Sequence, residues 1–159
     1  MHRIAPDIWI TKTEDPALRT GWTKGQVLVE ASKFYKDIRG KPPQKIGIAG
    51  PPIETPKGWL VIVHVVHERD FTNWQNRFFA HYTLGFMVLD LQDPARVKYI
   101  RPSPILWPEK SYEILGNVPQ VCFSYVAVDL GKEIYIYWGG ADTVICGGKI
   151  KKAELLAAF

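Results

Sequence analysis

The sequence is poor in the features that would assign it to several large classes. It holds two cysteines, Cys122 and Cys146, in 159 residues. That is too few for a disulfide scaffold, so a reducing, cytoplasmic compartment is the expectation. No apolar run approaches the roughly 18 residues that cross a bilayer, and the opening Met1-His2-Arg3-Ile4-Ala5-Pro6 lacks the apolar stretch of a secretory leader. Charge of one sign is scarce as well. The balance is 20 basic against 16 acidic residues, +4 in all, spread along the chain, so neither nucleic acid nor a membrane surface is an expected partner. Walker loop, dinucleotide glycine fingerprint and serine-nucleophile elbow are all missing. His64 and His67 stand three apart on a predicted strand, which points them to opposite faces, and no Cys/His/carboxylate cluster has metal-ligand spacing. No metal or organic cofactor is expected.

What the chain does have is turn residues and rings: 12 prolines, 13 glycines and 13% aromatics, a β-rich signature. Short strands bounded by turn residues are predicted at 7–11, 26–31, 59–67, 83–91, 120–130, 133–138 and 143–150. Leu60-Val61-Ile62-Val63-His64-Val65-Val66 is apolar at every position but one, as in a strand covered on both faces. Asp129-Leu130-Gly131-Lys132 is a tight polar connection and predicts a hairpin between its flanking strands. Only the tail from Lys151 to Ala158 reads as helix. Two long connections, 32–58 and 93–119, are read as functional loops, because loops of that length without structure of their own are uncommon otherwise. The polar stretch 68–77 reads as a solvated excursion or as a rim loop carrying Trp74. Cys122 lies in an apolar run with no evident base beside it, so packing accounts for it.

Three segments carry the rest of the information. The first is Lys45-Ile46-Gly47, followed by Pro51-Pro52-Ile53-Glu54-Thr55, Gly58-Trp59-Leu60 and His64. The second runs from Tyr82 to Leu89-Asp90-Leu91-Gln92-Asp93-Pro94. The third is Tyr112-Glu113-Ile114-Leu115-Gly116, then Phe123, then Tyr137-Trp138-Gly139-Gly140-Ala141-Asp142. Taken singly, Arg3 is a surface charge near a terminus, Lys45 a solvated loop lysine and His64 a core histidine. Likewise Tyr82 and Phe123 are plain core, and Asp142 is a turn residue.

In this order and spacing, with His2-Arg3-Ile4-Ala5-Pro6-Asp7-Ile8 at the start, the segments resemble the C-terminal half of glycoside hydrolase family 130, the β-mannoside phosphorylases and mannosidases. The resemblance covers nearly the whole chain. It implies an all-β fold, a partial five-bladed β-propeller of about two to three blades with a short C-terminal helix, as one domain over 1–159. It also implies a carbohydrate-active protein that cleaves a β-mannosidic bond with inorganic phosphate as co-substrate, or with water. On this resemblance Arg3, Lys45 and His64 are the phosphate-binding residues, since a phosphate dianion calls for clustered cationic donors. Tyr82, Glu113, Phe123 and Asp142 are the substrate-binding residues, since a sugar needs acceptors for its hydroxyls and a flat apolar face.

The departures are equally specific. The family's Asp-Pro-Arg element, whose aspartate is the general acid, is not found, because Asp93-Pro94-Ala95-Arg96 belongs to a different element. No catalytic residue is therefore assigned within this chain. Trp138-Gly139-Gly140 stands where the family has Tyr-Gly-Ala, and Val65 where a glycine usually follows the histidine. An open propeller leaves strand edges uncovered. Hence the expected partners, besides a mannose-containing oligosaccharide and phosphate, are the missing N-terminal blades or further copies of the chain. The alternative functions are a noncatalytic carbohydrate-binding remnant and a structural or interaction β-domain.

Overall fold

The computed structural model describes residues 1–68, 81–157 and 159. In chain order the elements are β1 (His2–Ile4), β2 (Asp7–Ile10), β3 (Gln26–Val29), β4 (Lys45–Ile48), β5 (Ile53–Thr55), β6 (Gly58–Val66), β7 (Tyr82–Leu89), β8 (Val97–Ile100), α1 (Ser111–Ile114), β9 (Cys122–Asp129), β10 (Glu133–Gly140), β11 (Val144–Lys151) and α2 (Lys152–Ala157). They form three antiparallel sheets in succession: β1-β2-β3, then β4-β6-β7-β8 with β5 also paired to β6, then β11-β10-β9. The all-β expectation and the short C-terminal helix hold. No helix among the described residues is long and apolar enough to cross a membrane.

The middle sheet explains the uninterrupted apolar run. Val61, Val63 and Val65 on β6, with Met87 and Leu89 on β7, pack toward the first sheet onto Ile8, Ile10, Leu28 and Val29. The alternate residues Leu60 and Ile62, with Leu84, Phe86 and Val88, pack toward the third sheet onto Ala127, Ile134, Ile136 and Trp138. Strand alternation thus sends neighbouring residues into two separate cores, and each core glues one outer sheet to the middle one. His64 and His67 follow the same rule. The His67 ring stacks on Tyr35 at 5.7 Å and its Nε2 lies 3.0 Å from the Tyr35 carbonyl, whereas His64 faces the other way, toward Phe123 at 4.6 Å.

The Asp129–Lys132 connection is the predicted hairpin: β9 and β10 pair from Ile134↔Asp129 onward, and the Asp129 carboxylate accepts the Gly131 N–H at 2.9 Å. The two long connections are corrected. The segment 32–58 contains β4 and β5, and 93–119 contains β8 and α1. These elements are three or four residues long, and prolines and glycines bracket β4 and β5, so their turn composition masks them. The predicted 68–77 loop lies, beyond Glu68, outside the described residues. Cys122 and Cys146 are both free thiols.

Candidate functional site

The cleft at the junction of the three sheets is built from short pairings. The Ile46 N–H donates to the Pro6 carbonyl at 2.9 Å, which lays β4 beside the β1–β2 turn and brings Arg3 next to Lys45. On β4, Lys45 and Gly47 share a face. Gly47 pairs directly with His64 on β6, and the imidazole lies over the bare glycine: a Cβ there would meet His64 Nε2 at 2.1 Å. Tyr82 pairs with Val66 while His64 pairs with Leu84, so Tyr82 is the diagonal neighbour of His64. A parallel bridge between Tyr82 and Val121 then draws the start of β9 alongside and delivers Phe123.

The result is an open cleft of about 470 Å³ lined by His2, Arg3, Lys45, Gly47, Ile48, His64, Tyr82 and Phe123. The His64, Tyr82 and Phe123 rings are mutually packed, with centroids 4.6 to 6.2 Å apart, and Lys45 Nζ stands 5.8 Å from the centre of the Tyr82 ring. No carboxylate is among the lining residues, and among the described residues neither Arg3 nor Lys45 has an ion-pair partner. His64 is 4% exposed, and its Nδ1 is buried without a hydrogen-bond partner among the described residues. Burial, then the charges of Arg3 and Lys45, lower its pKa to about 4, so the ring is neutral at pH 7. Chemically this arrangement suits an anion. It presents cationic donors with no internal counter-charge, beside an aromatic face.

Five of the seven predicted site residues, Arg3, Lys45, His64, Tyr82 and Phe123, meet in this cleft. Glu113 and Asp142 do not line it. The Glu113 side chain is 3% exposed; one oxygen accepts the Glu109 and Lys110 N–H groups at 2.9 Å each and the other accepts Trp138 Nε1–H at 2.9 Å. These hydrogen bonds hold α1 against β10. Asp142 sits at the tip of the β10–β11 hairpin, where Ala141 and Asp142 both have positive φ, 47° and 52°, and the Thr143 N–H closes the turn on the Gly140 carbonyl. Two successive left-handed residues make a type I′ turn, unusual without glycine. It is held by Val118 N–H to the Ala141 carbonyl and by Asn117 Nδ2–H to the Asp142 carbonyl. The Asp142 carboxylate is exposed at the same end of the sheet as Phe123, since Gly140 pairs with Cys122.

Sequence reasoning did not single out His2, Gly47 or Ile48. For Gly47 the signal was present: two residues after Lys45 on a strand is the same face, and a glycine there leaves room for whatever stands opposite. Cys122 is fully buried, and burial, then the neighbouring Glu113, raises its thiol pKa, so it packs rather than reacts.

The geometry has counterparts among known proteins. The family profile described as beta-1,4-mannooligosaccharide phosphorylase matches residues 1–159. A 1,2-beta-oligomannan phosphorylase of Thermoanaerobacter sp. is 36% identical over 145 residues, which is 91% of this chain and 43% of that protein. The beta-1,2-mannobiose phosphorylase of the same organism is 37% identical over 154 residues, 97% of this chain and 45% of the relative. The solved structure of the Listeria innocua beta-1,2-mannobiose phosphorylase in complex with beta-1,2-mannobiose superposes with a TM-score of 0.78 at 31% identity, covering 98% of this chain and 39% of that one. The chain spans less than half the length of the curated relatives it matches, and its three sheets are part of the family's five-bladed propeller. With the sequence match running from the first residue to the last and the same backbone course beneath it, the chain belongs to glycoside hydrolase family 130.

Proposed function

We propose that this chain carries the phosphate and sugar subsites of a β-mannoside phosphorylase, and that cleavage of the β-mannosidic bond by phosphate requires the remaining propeller blades. The observation that carries the reading is the cation-only cleft: Arg3, Lys45 and His64 converge without a carboxylate among the lining residues, beside the Tyr82 and Phe123 rings. In this reading the guanidinium and ammonium hold the anion by charge-assisted hydrogen bonds, and the two rings offer the apolar surface on which a mannosyl ring lies. Asp142, an exposed carboxylate on a turn fixed by its neighbours, accepts from sugar hydroxyls. Glu113 acts as a positioning residue, keeping α1 and β10 in place rather than touching the sugar.

The chain has no Asp-Pro-Arg element, so the proton for the leaving oxygen comes from the part of the relatives' length that this chain does not span. That same observation favours a second reading, noncatalytic carbohydrate binding by the chain alone. The test is incubation with mannobiose and phosphate, alone and with a family 130 N-terminal half added. Mannose 1-phosphate formed only in the combined sample supports the first reading. Binding of mannobiose without turnover in either sample supports the second.

A further inference from the structure

The charge in the cleft is one-sided in a way that constrains its ligand. From β1 the groups facing His64 are His2 and Arg3, and from β4 Lys45. From β7 comes Tyr82, with the His81 ring edge-on behind it at 4.7 Å, and from β9 the uncharged Phe123. Just past the end of β6 the next titratable residue, His67, faces the other core and is held by the Tyr35 carbonyl. No acid faces the imidazole from any of these strands. The ring is nonetheless buried with Nδ1 unpartnered among the described residues, an arrangement uncommon enough in a folded protein to call for an explanation.

We propose that the Arg3–Lys45–His64 cleft binds a divalent tetrahedral oxyanion together with one proton, which His64 accepts as the anion enters. This rests on the anion-binding reading above and goes beyond it by naming the ligand's charge and the coupled proton.

The physical argument is a reversal of sign. In the empty cleft a charge on His64 would be buried beside two cations, and the ring is neutral down to about pH 4. An anion within hydrogen-bond reach cancels the Arg3 and Lys45 fields and adds an opposite charge of its own, an effect that raises a pKa by about 1–3 units per neighbouring charge. A dianion therefore carries His64 to about neutrality or above, and the imidazolium becomes a further charge-assisted donor. The proton moves from solvent to the imidazole, and no covalent bond changes. A monovalent anion supplies half the charge and is bound less well, so the cleft discriminates by valence.

Inorganic phosphate itself titrates in this range and would bring the proton with it, so sulfate, a dianion throughout, is the probe. Calorimetry of sulfate binding to the full chain at pH 5.5, in two buffers of different ionisation enthalpy, should show uptake close to one proton. Affinity should fall about tenfold from pH 5 to pH 6, as linkage requires. His2 also lines the cleft, so two variants separate the sources. His2→Gln should retain the uptake, and His64→Gln should lose it while still binding sulfate more weakly through Arg3 and Lys45. Independently of any variant, the His64 imidazole resonances should report a neutral ring at pH 5.5 without sulfate and a protonated ring with it. Sulfate binding with no proton uptake, or uptake unchanged in His64→Gln, overturns the inference and leaves the anion site standing. No sulfate binding by the folded chain at any pH between 5 and 7 overturns the anion-site reading itself.

Discussion

Replacing Gly47 with alanine would add a single methyl group at the point where the cleft has least room. The new Cβ would lie 2.1 Å from His64 Nε2 and 2.9 Å from both Cδ2 and Cε1, far inside ordinary contact. The ring has little freedom to withdraw, with Phe123 at 4.6 Å and Tyr82 at 6.2 Å. The backbone has little either, since Ile46 and Ile48 are in register with Val65 and Val63 on both sides of the clash. Overpacking a tight site of this kind costs about 1–3 kcal/mol, and the confinement argues for the upper end, near 3 kcal/mol in chemical denaturation. Because the imidazole must leave its place, phosphate affinity measured by calorimetry should fall about tenfold or more. Gly131→Ala is the control. Unlike Gly47 it has positive φ, 83°, and it meets nothing within 4 Å, so its substitution costs about 1 kcal/mol of backbone strain and leaves phosphate binding unchanged. The double variant Gly47→Ala/His64→Ala puts the methyl where the ring was, and its stability loss should be smaller than the sum of the single losses by about 2 kcal/mol. A Gly47→Ala protein with wild-type stability and phosphate affinity would refute the reasoning.

Acid titration gives a second outcome with a defined sign. The His64 pKa is about 4 in the folded chain against about 6.5 unfolded, so the unfolded state binds the extra proton and folding stability falls as pH drops below about 6.5. Between pH 7.5 and 4.5 the loss from this one group is about 2–3 kcal/mol. His64→Gln should flatten the wild-type curve by that amount, and parallel curves would contradict the assignment. Glu113→Gln replaces one acceptor oxygen with an NH2 donor that faces N–H donors; it should cost about 2–3 kcal/mol in denaturation while leaving phosphate affinity within about twofold. A large loss of phosphate binding in that variant would mean the side chain acts at the cleft. Asp142→Asn keeps the turn and removes the charge. It should weaken mannobiose binding by about 1 kcal/mol or more with phosphate binding unaffected, and the reverse pattern in calorimetry would remove Asp142 from the sugar subsite.

How far the sequence alone carried depended on which physical signal each element leaves. The Leu60–Val66 run and the Asp129–Lys132 turn were legible because apolar alternation and turn chemistry are local signals, and both appear as β6 and the β9–β10 hairpin. Four short strands and α1 were not legible. Lys45–Ile48 and Ile53–Thr55 have three or four residues amid prolines and glycines, and their strand character comes from pairing with β6, a tertiary contact that no local window contains. The cleft residues lie on five strands of all three sheets, so periodicity could not have gathered them; ordered motifs could. What the motifs could not show was direction. Glu113 and His64 both sit in apolar surroundings as written, yet the first is consumed by two backbone N–H groups and an indole, whereas the second is left with an unpartnered nitrogen.

The central claim is that Arg3, Lys45 and His64 form one anion site, and the most direct measurement is a crystal of the chain soaked in phosphate, read beside calorimetry of Lys45→Ala. The account predicts one tetrahedral anion in the cleft within hydrogen-bond distance of all three side chains, and a loss of about tenfold or more in phosphate affinity in the variant. Phosphate bound elsewhere with this cleft empty, or undiminished affinity without the lysine, would contradict it.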